Sequence, residues 1–376
     1  MSEIFVGFKV SLDAQSDQVS DKAIAIFTHK PVIRMGPENG HLAPLDKQGS
    51  GARRTMLWSA LKIASERQTE TAKRSKKSSE VEADGPTRPH VLLLDEPEIC
   101  LHPSAIRDAC RVLYDLSSKE AGWQVMVTTH SPQFIDVSRD NTTIVRVERK
   151  ADGNINGTTV FRPERVSLSG DEKELLKLLN QWDPYVGEFF FGGRTIIVEG
   201  DTEYSAFREI IENDRKKYRN VHVVRARGKY IIPPLVKIMN HFGSPYAVLH
   251  DTDTPTNPNG QANSAWTANT RIAEAVACAP VSENVRLAAC VIDFEHAMFG
   301  EGAIGDKPYK TVCRIREDAT ARLRVTELLD YLLFDLADPP AGVLAWKGLQ
   351  ELEVAVAAEN PVVPENLMSS GPEAVG

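Results

Sequence analysis

Apolar residues along this chain follow one pattern up to Pro163 and a more regular one after it. In the first part, short apolar runs at Ala23–Phe27, Val91–Leu94, Val125–Thr128 and Thr143–Val147 predict strands. Between them, Arg54–Arg67 carries Leu57, Ala60, Leu61 and Ala64, and Ser104–Leu116 carries Ile106, Ala109, Cys110, Leu113 and Leu116. Both spacings are helical, because residues three and four apart share a face. The polar stretch Gln68–Arg88 has little apolar surface to bury and reads as a flexible insertion. In the second part an amphipathic helix is predicted over Asp171–Trp182. Regular alternation follows, with strands Thr195–Val198, Val221–Arg225, Tyr246–His250 and Val285–Ile292 and helices Tyr204–Asn213, Pro234–Phe242 and Ala265–Ala277. Strands separated by helices of this length imply right-handed βαβ crossovers and a parallel sheet.

Three of these strands run into carboxylates. Ile196-Ile197-Val198 leads to Glu199 and Glu203, Val248-Leu249-His250 to Asp251 and Asp253, and Val291-Ile292 to Asp293 and Glu295. Any one of these acidic turns also suits a helix N-terminus or an Asp-rich turn. The order of the first two at βαβ spacing points instead to a joint site, because ligands collect at the carboxyl ends of parallel strands. The third also suits a surface loop, though Phe294 and Phe299 around its acids suggest a packed one. Gathered carboxylates repel one another unless cations neutralise them, and Mg²⁺ or Mn²⁺ prefers oxygen ligands.

The first part holds a second acidic strand end. Val91-Leu92-Leu93-Leu94 is followed by Asp95 and Glu96, and Val125–Thr128 is followed by Thr129 and His130. In this arrangement an Asp can hold Mg²⁺ while a neighbouring Glu polarises water towards a γ-phosphate. Upstream, Gly49-Ser50-Gly51 opens a helix whose N–H groups and dipole favour an anion. No GxxxxGK[ST] phosphate loop occurs; Gly36-Pro37-Glu38-Asn39-Gly40 lacks the lysine and hydroxyl that would engage phosphates.

Charge and cysteine usage narrow the setting. The net charge of −8 over 376 residues argues by itself against nucleic acid, yet basic residues cluster at Lys73–Lys77, Arg215–Arg219 and Arg225–Lys229. Lys229, directly after a strand and a glycine, is the one expected beside phosphate. Five scattered cysteines form neither a disulfide framework nor a zinc motif, which suggests reducing cytoplasm. No apolar run reaches the length of a membrane span, and no export signal is read at the N-terminus.

The motifs carry a resemblance. Asp95 and Glu96 resemble a Walker B pair, Leu101-His102-Pro103 a D-loop, His130 a switch histidine, and Ser50 and Gly51 the signature loop of ABC-type ATPase heads of the SMC, RecF and OLD (overcoming lysogenization defect) group. The missing phosphate loop makes this segment resemble a C-terminal lobe alone. Its N-terminal lobe would then be removed by truncation or lie on another chain, and ATPase activity of this chain alone is not expected. Glu199 followed by Asp251-x-Asp253 resembles the Toprim signature of topoisomerases, primases and OLD nucleases. The ATPase-then-Toprim order is similar to the class 2 OLD nucleases.

That resemblance implies an α/β fold: an ATPase lobe over 1–165, a connector over 166–193, a Toprim domain over 194–300, a helical region over 301–360 and a flexible tail over 361–376. It implies a metal-dependent DNA endonuclease holding one or two Mg²⁺ or Mn²⁺ on Glu199, Glu203, Asp251, Asp253, Glu295 and Asp293. Glu199 and Asp251 would also be catalytic, and the helical region would return Lys347 to the scissile phosphate. DNA gripped by its phosphate backbone, a homodimer, and ATP acting in the complete protein are further implications. The alternatives are an ATP-gated DNA-binding or assembly component without cleavage, and a topoisomerase or primase.

Overall fold

The computed structural model describes residues 8–15, 30–77, 90–118 and 123–359, apart from 137–138, 140–141, 148, 150–151, 156–158, 163–164, 184, 244, 258 and 301–304. The predicted strand Ala23–Phe27, the tail 361–376 and the side chains of Lys73–Lys77 lie outside the described residues. The chain divides after Phe134 into two compact units.

In the first unit β1 (Phe8–Gln15) pairs antiparallel with β2 (Lys30–Pro37), and β2 with β3 (Ala43–Pro44). Helix α1 (Ser50–Lys77) continues well past Arg67 into the stretch expected to be flexible. The extension contains neither glycine nor proline and is rich in Gln, Glu, Ala, Lys and Arg, which suit a helix even without a core to face. Strand β4 (His90–Asp95) runs parallel to β5 (Trp123–Thr128), joined through α2 (Pro103–Leu116). One face of this pair places Leu92, Leu94, Val125 and Val127 against Trp58, Ala109 and Leu113. The other face leaves Val91, Leu93 and Met126 exposed.

The second unit begins with an antiparallel pair, β6 (Ile144–Arg146) and β7 (Thr159–Phe161), then α3 (Gly170–Trp182). Phe161 and Val166 pack with Leu176, Phe190 and Phe242, so residues 135–165 fold with this unit and not with the ATPase lobe to which the sequence reading gave them. There follow β8 (Arg194–Val198), α4 (Asp201–Asn213), β9 (Val221–Arg225), α5 (Ile232–Phe242), β10 (Tyr246–Asp251), α6 (Ser264–Ala277) and β11 (Val285–Cys290). Helices α7 (Phe294–Phe299), α8 (Lys307–Glu317) and α9 (Ala319–Leu332), strand β12 (Val343–Ala345) and α10 (Leu349–Glu359) complete it.

The sheet order is β12-β11-β10-β8-β9, with β12 antiparallel and the rest parallel. Because side chains alternate across a strand, its continuous apolar runs feed two layers at once. Ile197, Val248 and Leu287 face Leu235, Val236 and Ile272 on one side; Ile196, Val198, Ala247 and Ala288 face Phe207, Phe294 and Leu328 on the other. The chain is thus mixed α/β with parallel sheets. Among the described residues no helix is long and apolar enough to cross a membrane.

Candidate metal and phosphate site

Strand β8 is followed in the sheet by β9 on one side and lies against β10 on the other, so the chain reverses its direction of travel across the sheet between β8 and β10. The carboxyl ends of two such strands splay their following loops apart and leave a crevice. Glu199 and Asp251 leave the sheet at that point, since Val198 is level with Leu249. The two are joined directly: the Asp251 N–H donates to the Glu199 carboxylate at 3.1 Å, and the Glu199 N–H donates to the Leu249 carbonyl at 3.1 Å.

Burial governs the electrostatics of this crevice. Glu203, in the first turn of α4, is 3% exposed and accepts from the Gly200 N–H at 3.2 Å. Loss of water pushes its carboxyl up to about 7, and the neighbouring charges of Glu199 and Glu295 add to the rise. Burial likewise raises Glu199, although the Lys229 ammonium opposes it. Asp251 is held well above the usual carboxylate range by burial and then by the charges of Glu203, Glu199, Asp253 and Asp293. Glu295, one residue into α7, is 2% exposed, and Asp293 caps that helix by accepting from the His296 N–H at 2.8 Å.

Thr252 fixes the loops that carry these acids. It is fully buried; its N–H donates to the Cys290 carbonyl at 2.9 Å, and its hydroxyl oxygen accepts from the Ile292 N–H at 2.7 Å. Ile292 has φ 67°, a left-handed conformation that disfavours a β-branched residue, which is why β11 ends at Cys290 instead of Ile292. The Asp253 N–H returns to the Ile292 carbonyl at 3.2 Å, and Asp253 itself has φ 58°. His250, wholly buried beside them, donates from Nδ1 to the Asp251 carbonyl at 2.7 Å, meets the Trp346 ring edge-on at 5.3 Å and is pushed down to about 3 by burial and then by Lys229. It is a neutral wall and not a proton carrier near neutral pH.

The cations depart from the sequence reading. Lys229 does reach the crevice, but it is 3% exposed, ion-paired with Asp253 and donating to the Thr252 carbonyl at 3.3 Å, so it faces the protein and not an incoming phosphate. Among the described residues no hydrogen bond or ion pair joins Lys347 to the acids. Strand β12 runs away from them, with Val343 level with Cys290, Ala345 level with Ala288 and the Trp346 N–H on the Leu287 carbonyl. β12 therefore leads away from the acidic end before the chain reaches Lys347. Lys307, which the sequence pattern gives no role, is instead 3.2 Å from the Glu295 carboxylate. Its signal was present as a capping residue, Asp306, then Lys307, then Pro308, a helix start shortly after the third acidic turn.

In the first unit the strand-end residues also meet. Asp95 accepts from the Thr128 hydroxyl, and the Glu96 carboxylate lies 3.1 Å from His130 Nε2. Glu98 accepts from the Thr129 hydroxyl at 2.7 Å and the His130 N–H at 2.9 Å, while Arg54 donates to the Glu96 carbonyl at 2.9 Å. Ser50 and Gly51 begin α1 against the turn at Cys100: a Cβ on Gly51 would sit 2.5 Å from the Cys100 carbonyl oxygen, so only glycine permits the approach.

Whether the crevice suits a divalent cation can be judged from its own atoms. Among the described residues no three carboxylate, imidazole or thiolate groups already stand at the spacing of a single ion's ligands. The donor set is nevertheless all carboxylate, and two buried oxygens, Glu295 Oε1 and Asp251 Oδ1, have no hydrogen-bond partner. Buried polar atoms without partners are costly, and hard cations take such oxygens. The residues fit Mg²⁺ or Mn²⁺, given side-chain rotation onto the ion.

Comparison with known proteins matches both units. Residues 4–135 match the AAA ATPase domain family, and residues 190–253 match the family described as overcoming lysogenization defect protein-like, TOPRIM domain. The OLD nuclease of Thermus scotoductus is 30% identical over 165 residues, covering 43% of this chain and 30% of that protein. The Old nuclease of Escherichia phage P2 is 24% identical over 217 residues, covering 57% of this chain and 34% of that protein. The chain therefore spans about a third of the length of the relatives it matches.

Proposed function

We propose, from a chain of the OLD family in which an AAA ATPase domain leads into an OLD-like Toprim domain, that it is a metal-dependent DNA endonuclease coupled to ATP in the complete protein. The observation that carries this reading is the convergence of buried carboxylates at the β8–β10 crevice with two of their oxygens unpartnered. Glu199, Glu203, Asp251, Asp253, Asp293 and Glu295 would hold one or two Mg²⁺ or Mn²⁺, which would supply charge stabilisation for the phosphodiester oxygens and an acidified water.

The remaining steps belong to the chain. Glu199 and Asp251, linked through the Asp251 N–H, keep the two strand ends in register with each other. Thr252 and the left-handed Ile292 hold the third acidic turn beside them. Glu203, whose proton is held up to about 7, would have to lose it to serve as a carboxylate ligand. DNA would be gripped through phosphates, so binding weakens with salt and shows little base preference. In the first unit Asp95, Glu96 and His130, with Ser50 and Gly51 opening α1, form the ATPase-related set, and a homodimer is the assembly the family resemblance implies.

Plasmid cleavage with Mg²⁺ or Mn²⁺ tests the reading, comparing the wild type with Glu199→Ala and Asp251→Ala. Loss of cutting by roughly a hundredfold or more in both is expected. Equal cutting by all three proteins would sink the site assignment. Intact plasmid together with DNA binding would favour a binding or assembly component, and relaxed plasmid without nicked or linear product a topoisomerase.

A further inference from the structure

Among the described residues two lysines, Lys229 and Lys307, approach the carboxylates, and they are held differently. Lys229 follows Gly228, which has φ 126°, and both of its contacts, Asp253 and the Thr252 carbonyl, lie inside the fold. It is a fixed part of the wall. Lys307 is the first residue of α8, its backbone set by the Asp306 cap before it and Pro308 after it. Its side chain is 44% exposed, yet its ammonium reaches the 3% exposed Glu295 side chain at 3.2 Å. Burial works against its charge, but the hydrogen bond to Glu295 and the charges of Glu295, Asp293 and Asp251 outweigh that and raise its pKa. The other Glu295 oxygen, Oε1, is buried without a partner. One carboxylate therefore has an ammonium arriving from solvent on one oxygen and an unsatisfied oxygen on the other.

We infer that Lys307 is an exchangeable counter-ion, neutralising Glu295 while no divalent cation is bound and turning to a phosphate of the nucleic acid when one is. The inference rests on the metal-dependent nuclease reading of the same site. An ammonium and a divalent cation on one carboxylate repel each other, and the half-exposed partner on a flexible stem is the one free to leave. Lys229 has no such exit. Anchored at the start of α8, a displaced Lys307 stays at the rim of the crevice, where a nucleic-acid phosphate drawn to the bound cation has to pass. It supplies there the positive charge that the sequence reading had assigned to Lys347.

Mn²⁺ affinity, measured without nucleic acid on the full chain by electron paramagnetic resonance of free Mn²⁺, reads the exchange directly. Lys307→Gln removes the internal competitor, so Mn²⁺ should bind more tightly, on the order of tenfold. The same variant, loaded with Mn²⁺, should bind a short duplex with phosphorothioate linkages more weakly, with the salt slope reduced by about 1. Lys307→Arg keeps the charge and should resemble the wild type in Mn²⁺ affinity. Unchanged or weaker Mn²⁺ binding by Lys307→Gln would overturn this inference alone. A wild-type chain that binds no Mn²⁺ would overturn both it and the metal-site reading.

Discussion

Replacing Glu203 by glutamine in the metal-free protein converts a buried acid into a neutral group of the same shape, and the pH dependence of stability should respond in a set direction. In the unfolded chain Glu203 loses its proton near its ordinary 4.5, whereas in the folded protein it holds the proton up to about 7. Between those values the folded state binds more protons, so stability falls as pH rises through the window and the loss is complete above 7. Each tenfold difference in proton affinity is about 1.4 kcal/mol, which makes the cost about 3 kcal/mol at pH 8. Glutamine carries no charge at any pH, and its amide oxygen can still accept from the Gly200 N–H that now meets the carboxylate at 3.2 Å. Glu203→Gln should therefore gain up to about 3 kcal/mol at pH 8 and under about 1 kcal/mol at pH 5. For a unit of this size that is roughly 6–12 °C in Tm at pH 8. Thermal unfolding in EDTA at both pH values is the assay, and in saturating Mn²⁺ the order should reverse, because the wild type gains more from the bound ion. A Tm difference that is equal at pH 5 and pH 8, or a variant less stable than the wild type at pH 8, would show that Glu203 is not a protonated buried acid near neutral pH.

Lys347→Ala should cut plasmid within about twofold of the wild type, because β12 carries that residue away from the acids; a tenfold loss in cleavage rate would show that the segment after β12 reaches them. Gly51→Ala should destabilise the first unit by about 1–3 kcal/mol, since its methyl would sit 2.5 Å from the Cys100 carbonyl oxygen. Denaturant unfolding followed through the buried Trp58 checks this, and an unmoved midpoint would mean that the Cys100 turn yields at no cost.

The parallel sheet was legible because two-sided burial writes itself as unbroken apolar runs. Val221–Arg225 has the same bounds in sequence and structure, closed off by Asn220 at φ 61°. The acids at the ends of β8 and β10 followed from the same runs. What failed was information held in neither periodicity nor motif. Strand β12 is three residues long, too short to show alternation, and its antiparallel register leads the chain towards Lys347 away from the acidic end. Lys229 looked free beside a glycine, but Asp253, a left-handed residue 24 positions away, claims its ammonium. Lys307 took its meaning from Glu295, whose burial no local pattern announces. Helix α1 outran its apolar stripe because helix-favouring polar residues need no core to continue.

Strand β12 also has a consequence for how the protein is made. The β11 edge at Cys290 is paired by Val343, so more than fifty residues must leave the ribosome between the two halves of that ladder. At synthesis rates of about 5–20 residues per second, a nascent chain shows the bare β11 edge for several seconds. Non-local pairings of this kind are slow to close, and an open strand edge invites pairing with other chains. Chains stopped before Val343 would thus carry the acidic crevice nearly complete while displaying an adhesive border, and their fate would be set by aggregation before any chemistry at the site.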